Sequence, residues 1–257
     1  MNLKLHGKRA FITGGTHGIG RAIAHALADE GCHIIICSRN LNRINNTKFE
    51  IISKEVQCLA LQADLLLPDA RARVINEINL AKWDIDILVN NVGGGGRWGQ
   101  ENILETSRNV WDEVYAKNVD TTIDFTLAFL PGMLSKQWGR VISITSIYGS
   151  QIGSRPWYNS AKFAQSAIMK NFSRKPEFVR KGVTFNMVAP GPILIPDTGW
   201  EEEKNKHPEE YFEKLQHLPM GHLGEPEDVA LAVAFLCSDA AKHVNGAVIP
   251  VDGGEST

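Results

Sequence analysis

With 257 residues, 43% of them hydrophobic, the chain can bury a sizeable core. Its formal net charge of -2 leaves no basic footprint for nucleic acid or an anionic membrane, so the expected partner is a small molecule. Cys32, Cys37, Cys58 and Cys237 form no C-x-x-C pair and read as reduced thiols, and no metal is expected. The N-terminus lacks a signal peptide's apolar core and no run reaches the ~18 apolar residues of a membrane helix, which points to a cytoplasmic protein.

Residues 8–13 predict a buried strand running into Gly14-Gly15-Thr16-His17-Gly18-Ile19-Gly20. A helix follows, because Ile19, Ile23, Ala26 and Leu27 recur at helical spacing and Gly31 stands at a common stop. Strand, glycine-rich turn and helix together read as a phosphate site, since glycines let the backbone approach a pyrophosphate and the helix N-terminal N–H groups face its charge. A tight turn without a ligand is the plainer alternative. The next strand, 33–37, ends at Ser38-Arg39-Asn40, where an acid would bind the ribose hydroxyls of NAD. The next acid is Glu50, whereas Arg39 offers a planar cation suited to a 2′-phosphate, so NADP(H) is favoured over NAD(H). Arg39 stacked on adenine or facing water is the other reading.

Residues 56–61 predict a third strand followed by Asp64 and Leu65, and residues 69–82 a crossover helix opened by Pro68. A fourth strand, 85–89, delivers Asn90-Asn91-Val92-Gly93 at its carboxyl end, where open α/β sheets bind ligands. The run Gly93 to Gly96 is either a flexible loop or a backbone passing close to a cofactor, and its position at a strand end favours the second. Residues 107–136 predict a long helix with Asn118 in its middle, a poor helix-interior residue that calls for a reason, solvent exposure being the plainest. Residues 140–145 form a strand ending in Ser146. The helix after it holds Tyr158 and Lys162 one turn apart on one face, where an ammonium would lower the phenol's pKa and make a usable acid/base. Alone, that pair also fits a solvated helix face. Residues 183–188 give a sixth strand leading to Pro190-Gly191, residues 192–224 a candidate lid, residues 226–237 a helix and residues 247–251 a last strand. No linker divides the chain, so a single domain spanning 1–257 is expected.

Strands alternating with helices predict an α/β fold: a three-layer, Rossmann-type doubly wound arrangement with a seven-stranded parallel sheet and helices on both faces. With Thr13-Gly14-x-x-x-Gly18-x-Gly20, Asn90-Asn91-Val92-Gly93, Asn118, Ser146, Tyr158-x-x-x-Lys162 and Pro190-Gly191 in that order, the chain resembles the short single-domain branch of the short-chain dehydrogenase/reductase family. The resemblance covers nearly the whole chain. It implies an NADP-dependent oxidoreductase that interconverts a ketone and a secondary alcohol, with Tyr158 as acid/base and Ser146 bonding the substrate oxygen. Lys162 would bind the nicotinamide ribose, Asn118 would hold a relay water, Asp64 would meet the adenine amino group and Asn90 the adenosine ribose. The glycine turn, with Thr16, His17 and Ile19, would hold the pyrophosphate side, while Ser38, Arg39, Leu65, Pro190, Gly191 and Ile193 complete the cofactor contacts.

Several features depart from the family pattern. Val92 replaces the usual alanine, Ile195 stands where a threonine normally touches the carboxamide, with Thr198 as its substitute, and His17 takes the place of a basic residue. Pro176 should kink or end the Tyr158 helix, with no functional reason attached. The substrate pocket is expected from Trp98, Ser146, Tyr148, Ile152 and Trp157, which suit a compact, largely apolar carbonyl compound. Rival readings are a 3-oxoacyl-acyl-carrier-protein reductase and a catalytically silent cofactor-binding regulator. The resemblance also implies a homotetramer, or a dimer.

Overall fold

The structure is a computed structural model that describes residues 2–256. In chain order it runs β1 Arg9–Thr13, α1 Gly18–Asp29, β2 His33–Ser38, α2 Leu41–Ile52, β3 Cys58–Gln62, α3 Pro68–Leu80 and β4 Ile87–Asn90. Then come α4 Arg108–Tyr115, α5 Thr121–Lys136, β5 Gly139–Ile144, α6 Pro156–Ser173, α7 Pro176–Val179 and β6 Val183–Pro190. The chain closes with α8 Gly199–Lys206, α9 Pro208–His217, α10 Pro226–Cys237 and β7 Val248–Val251.

Among the described residues the strands form one seven-stranded sheet in the order β3-β2-β1-β4-β5-β6-β7, every neighbouring pair parallel. Alternation along each strand divides the apolar residues between two faces. Ala10, Ile12, Ile34 and Ile36 pack against α1 and α10, while Phe11, Ile35, Leu88 and Val141 pack against α3, α5 and α6. Both faces are therefore covered, and the strands read as continuous apolar runs. The expected three-layer, doubly wound fold is what the chain adopts. Because β2 and β3 lie on one side of β1 and β4 on the other, the strand order reverses between β1 and β4, and the carboxyl ends there are the place where such folds bind ligands.

Two predicted helices differ. The expected helix 107–136 is interrupted by a π turn at Ala116–Asp120, centred on Asn118. Asn118 is not there because it faces solvent; it is fully buried, and its Nδ2 donates to the Val114 carbonyl at 2.8 Å. A side chain bonding the carbonyl four residues back is what bends or bulges a helix. Pro176 does not kink the Tyr158 helix, which stops at Ser173; the proline opens α7 at its first position, where its missing N–H costs nothing. The segment 192–224, the candidate lid, holds α8 and α9.

Candidate active site and dinucleotide cleft

A cleft of about 870 Å³ opens at the carboxyl ends of the central strands. Its first wall is the turn after β1. Thr13 ties that turn to the end of β4, its Oγ1 accepting from the Asn91 and Val92 N–H groups at 2.9 Å each. Asn91 Nδ2 returns a bond to the Thr13 carbonyl at 2.8 Å. Gly20 is required by this closeness, since a Cβ there would stand 2.3 Å from the Gly14 oxygen and 2.4 Å from Asn91 Nδ2. His17, at the N-cap of α1, makes no side-chain hydrogen bond to the helix, so the first-turn N–H groups receive no side-chain cap. A pyrophosphate is the anion such a turn accommodates. The cleft is bordered here by Gly14, His17, Gly18, Ile19 and Gly20, whereas Thr16 is buried beneath the turn and does not reach it.

At the end of β2, Ser38 and Arg39 line the cleft opposite Asp64 and Leu65. Arg39 Nη1 lies 3.8 Å from Asp64 Oδ2, with 69% of the arginine side chain exposed. Glu50 is no ribose acceptor: its carboxylate is held by Arg21 Nη2 at 2.7 Å and His25 Nε2 at 3.0 Å on the outer helices. His17 is pushed below its ordinary pKa by burial and then by Arg43, so it is neutral at pH 7 and adds no cation. Asn90, expected beside the adenosine ribose, does not reach the cleft. Its side chain is buried, Nδ2 donating to Thr126 Oγ1 at 3.1 Å, and it is the neighbouring Asn91 that borders the cleft.

The catalytic end is assembled from three elements. Pro156 fixes the first turn of α6, which brings Tyr158 out at the cleft and buries Lys162 one turn behind it. Ser146, just past β5, accepts from the Tyr148 N–H at 3.2 Å and lines the cleft with Tyr158. Lys162 Nζ lies 5.8 Å from the Tyr158 ring centroid and donates to the Ile144 carbonyl and Gln165 Oε1 at 3.0 Å each. Gly93 borders both groups: a Cβ there would stand 2.8 Å from Asn118 Oδ1 and 3.0 Å from Lys162 Nζ. Asn118 itself does not face the cleft; it grips the Gly94 backbone, donating to its carbonyl at 2.8 Å and accepting from its N–H at 3.1 Å. Pro190, Gly191 and Ile193 border the same end, as do Ile195 and Thr198, the latter donating to the Ile195 carbonyl at 2.6 Å.

The electrostatics differ from the expectation that Lys162 lowers the phenol. Burial pushes Tyr158 above its ordinary range, the Ser146 hydroxyl opposes that rise and Tyr148 adds to it. Lys162 is itself pushed down to about 7 by burial and then by the Lys117 charge. At neutral pH Tyr158 is therefore a protonated phenol, a proton donor, beside a lysine that is partly charged.

The substrate side also differs. Trp98, Ser146 and Tyr148 line the cleft as expected. Trp157 does not: it is fully buried with Val114 and Val119, its Nε1 donating to the Gly95 carbonyl at 3.2 Å. Ile152 is 82% exposed and away from the cleft. Beside the cleft stand charged side chains as well, Arg97, Lys117 and Glu255, so a mainly apolar wall carries charge that was not expected. Arg97 lies over the Trp200 ring, 5.4 Å from its centroid, and 3.8 Å from Glu203.

Gln165 is the clearest residue that sequence reasoning missed. Fully buried, it accepts from Lys162 and donates through Nε2 to Thr122 Oγ1 at 2.9 Å, which donates to the Asn118 carbonyl at 2.9 Å. The signal was its i+3 spacing from a lysine that needs a buried partner. Removing an acceptor from an ammonium disfavours the charged form. Facing Lys162 from other elements is the like charge of Lys117, with Tyr158 beside it. Gln165→Leu is thus predicted to move the Lys162 titration from about 7 to lower pH, by about one to two units for a charge-assisted bond. The check is the pH profile of kcat/KM; an unmoved profile sinks the assignment.

Residues 14–256 match the family model described as enoyl-(acyl carrier protein) reductase. The chain is 35% identical over 259 residues to the 3-oxoacyl-[acyl-carrier-protein] reductase of Aquifex aeolicus, covering 99% of each chain. It is 31% identical to mouse (Mus musculus) dehydrogenase/reductase SDR family member 4, over 97% of this chain and 88% of that one. Among solved structures it superimposes on L-sorbose reductase from Gluconobacter frateurii, complexed with NADPH and L-sorbose, with a TM-score of 0.90 at 29% identity, over 100% of this chain and 99% of that one.

Proposed function

This chain belongs to the short-chain dehydrogenase/reductase family, and on that premise we propose that it is an NADP-dependent oxidoreductase interconverting a ketone and a secondary alcohol, with Tyr158 as acid/base. The observation that carries the reading is the convergence of Ser146 and Tyr158 on the cleft with Lys162 buried behind them. The residues fit a dinucleotide: close backbone at Gly20 and Gly93, first-turn N–H groups without a side-chain cap, and a cation after β2. When bound, its nicotinamide supplies or accepts the hydride. Tyr158 then gives the proton to the carbonyl oxygen in reduction and removes it in oxidation, and Ser146 donates to the same oxygen as charge develops there. Lys162 binds the nicotinamide ribose. Asn118 fixes the Gly94 backbone beside it, a positioning role in place of the relay water that the resemblance implied. In this single domain, α8 and α9 close over the site as a lid, held to it by the contacts of Arg97 with Trp200 and Glu203. A carbonyl panel read by loss of NADPH absorbance tests this; no turnover with any carbonyl compound overturns it and restores the silent regulator.

A second reading, reduction of a 3-oxoacyl group on its carrier protein, is favoured by the 35% identity to the Aquifex reductase. Of the two basic residues such reductases present to an acidic carrier, Arg180 matches the second, but Gln137 occupies the first, and α8 adds Glu201-Glu202-Glu203. A carrier preference in kcat/KM above about a hundred-fold over the same group on a short thiol, some 2.7 kcal/mol of transition-state binding, would make it the answer.

Self-association as a homotetramer completes the proposal. Leu127 on α5 and Phe163 on α6 are exposed at 54% and 39%, and β7 is an edge strand only partly covered. These helices would form one interface and β7 the other. A tetrameric mass by light scattering at micromolar concentration is expected; a monomer contradicts it.

A further inference from the structure

Next to the catalytic end of the cleft lies a second cavity, of about 240 Å³. The two cavities share Pro192, Trp200 and Glu255 as lining residues, so these three side chains form the partition between them. Beyond it the wall is mostly apolar, with Leu215, Leu218 and Leu223, and its two basic residues are His217 and Lys214, the latter paired with Glu203. Each side of the partition is built. Trp200 is held under the Arg97 guanidinium, which fills the space where a Gly199 Cβ would go. Glu255 is placed by a turn in which Asp252 accepts from the Gly254 and Ser256 N–H groups at 3.0 Å each, and the tail is tied back by the Gly191 N–H to the Val251 carbonyl at 3.0 Å.

We propose that this cavity is a substrate subsite: with the carbonyl at Ser146 and Tyr158, the far end of the substrate passes between Trp200 and Glu255 into it, which selects ketones bearing an uncharged apolar chain or ring. The inference rests on the ketone-reductase reading above and adds the substrate class. Three consequences follow from the residues. An apolar tail gains affinity with each methylene it buries among the leucines, at about four-fold per group. That gain ends when the tail has filled the cavity, of about 240 Å³. A carboxylate on the tail meets the negative charge of Glu255, in surroundings where burial and Asp252 already work against a second anion.

The experiment measures kcat/KM with NADPH for methyl ketones of increasing chain length and for the same ketones carrying a terminal carboxylate. For the wild type, kcat/KM should climb about four-fold per methylene and then level off, with each carboxylate below its neutral partner. Glu255→Gln should narrow the gap between the two series, and Leu218→Trp, which fills the cavity, should bring the ratio of long to short ketones towards one. A flat length series, equal rates for neutral and carboxylated ketones, or a slope that survives Leu218→Trp overturns the subsite. If Leu218→Trp does not fold, the wild-type series and Glu255→Gln decide. Reduction of short ketones with no length dependence defeats the subsite alone; reduction of no carbonyl compound defeats the reading beneath it as well.

Discussion

Tyr158→Phe is expected to lower kcat for carbonyl reduction by about 10²–10⁴-fold, the usual worth of a positioned proton donor, while NADPH affinity stays close to wild type. The argument rests on what the substitution leaves in place. The ring packs with Val114, Ala161 and Trp157, and Phe keeps that packing and the lysine beside the ring. The Ser146 hydroxyl keeps the Tyr148 N–H. Only the transferable proton disappears. Because burial raises the phenol's pKa, the proton donor is fully present at neutral pH and is lost as the pH climbs through that raised value. Reduction by the wild type should therefore weaken on the alkaline side. A variant with wild-type kcat would put the acid elsewhere in the cleft.

Arg39→Ala is expected to weaken NADPH binding about ten- to a hundred-fold, the range for a charge-assisted bond of roughly 1.5–3 kcal/mol, and to leave NADH affinity nearly as it was. Three neighbours support the assignment. Glu50, the next acid along the chain, is committed to Arg21 and His25, so no carboxylate from that helix is free for ribose hydroxyls. His17 is held neutral and cannot share the work. Asp64 faces Arg39 at 3.8 Å and would repel a phosphate, which makes the arginine the group on which discrimination depends. With 69% of its side chain exposed, Arg39 acts through solvent, so added salt should shrink the preference. Equal titrations of the two cofactors, or an unchanged preference in the variant, would remove NADP from the account.

The layers were legible because most strands are apolar runs and the longer helices are marked by spacing or by an opening proline, as at Pro68 and Pro226, whereas α2, α7, α8 and α9 went unmarked. The glycine turn and the Tyr158–Lys162 turn were legible for a similar reason: both are short-range patterns. Errors arose where one residue changes the direction of a side chain. At a strand end, successive residues point to opposite faces, so Asn91 borders the cleft and Asn90 is turned into the fold. On α6, Trp157 precedes Tyr158 by about 100° of helical rotation, which carries it into the packing under Gly95. Ile152 sits in a loop whose course is set by Asn159, which accepts from the Gly153 and Ser154 N–H groups at 3.1 and 3.2 Å. Long-range placement was out of reach. Nothing near Tyr158 in the sequence announces Glu255 or Arg97, and no periodicity reports the π turn at Asn118, which depends on a side-chain bond to Val114.

The most direct test of the central claim follows the hydride. NADPH carrying deuterium at C4 of the nicotinamide, in the position transferred, is incubated with the enzyme and a ketone from the panel, and the alcohol is examined by mass spectrometry and proton NMR. Hydride transfer predicts one deuterium on the carbinol carbon, with the hydroxyl proton drawn from solvent through Tyr158, and loss of that labelled product in Tyr158→Phe. An alcohol with no deuterium on that carbon, or labelled product formed equally by Tyr158→Phe, would contradict the account.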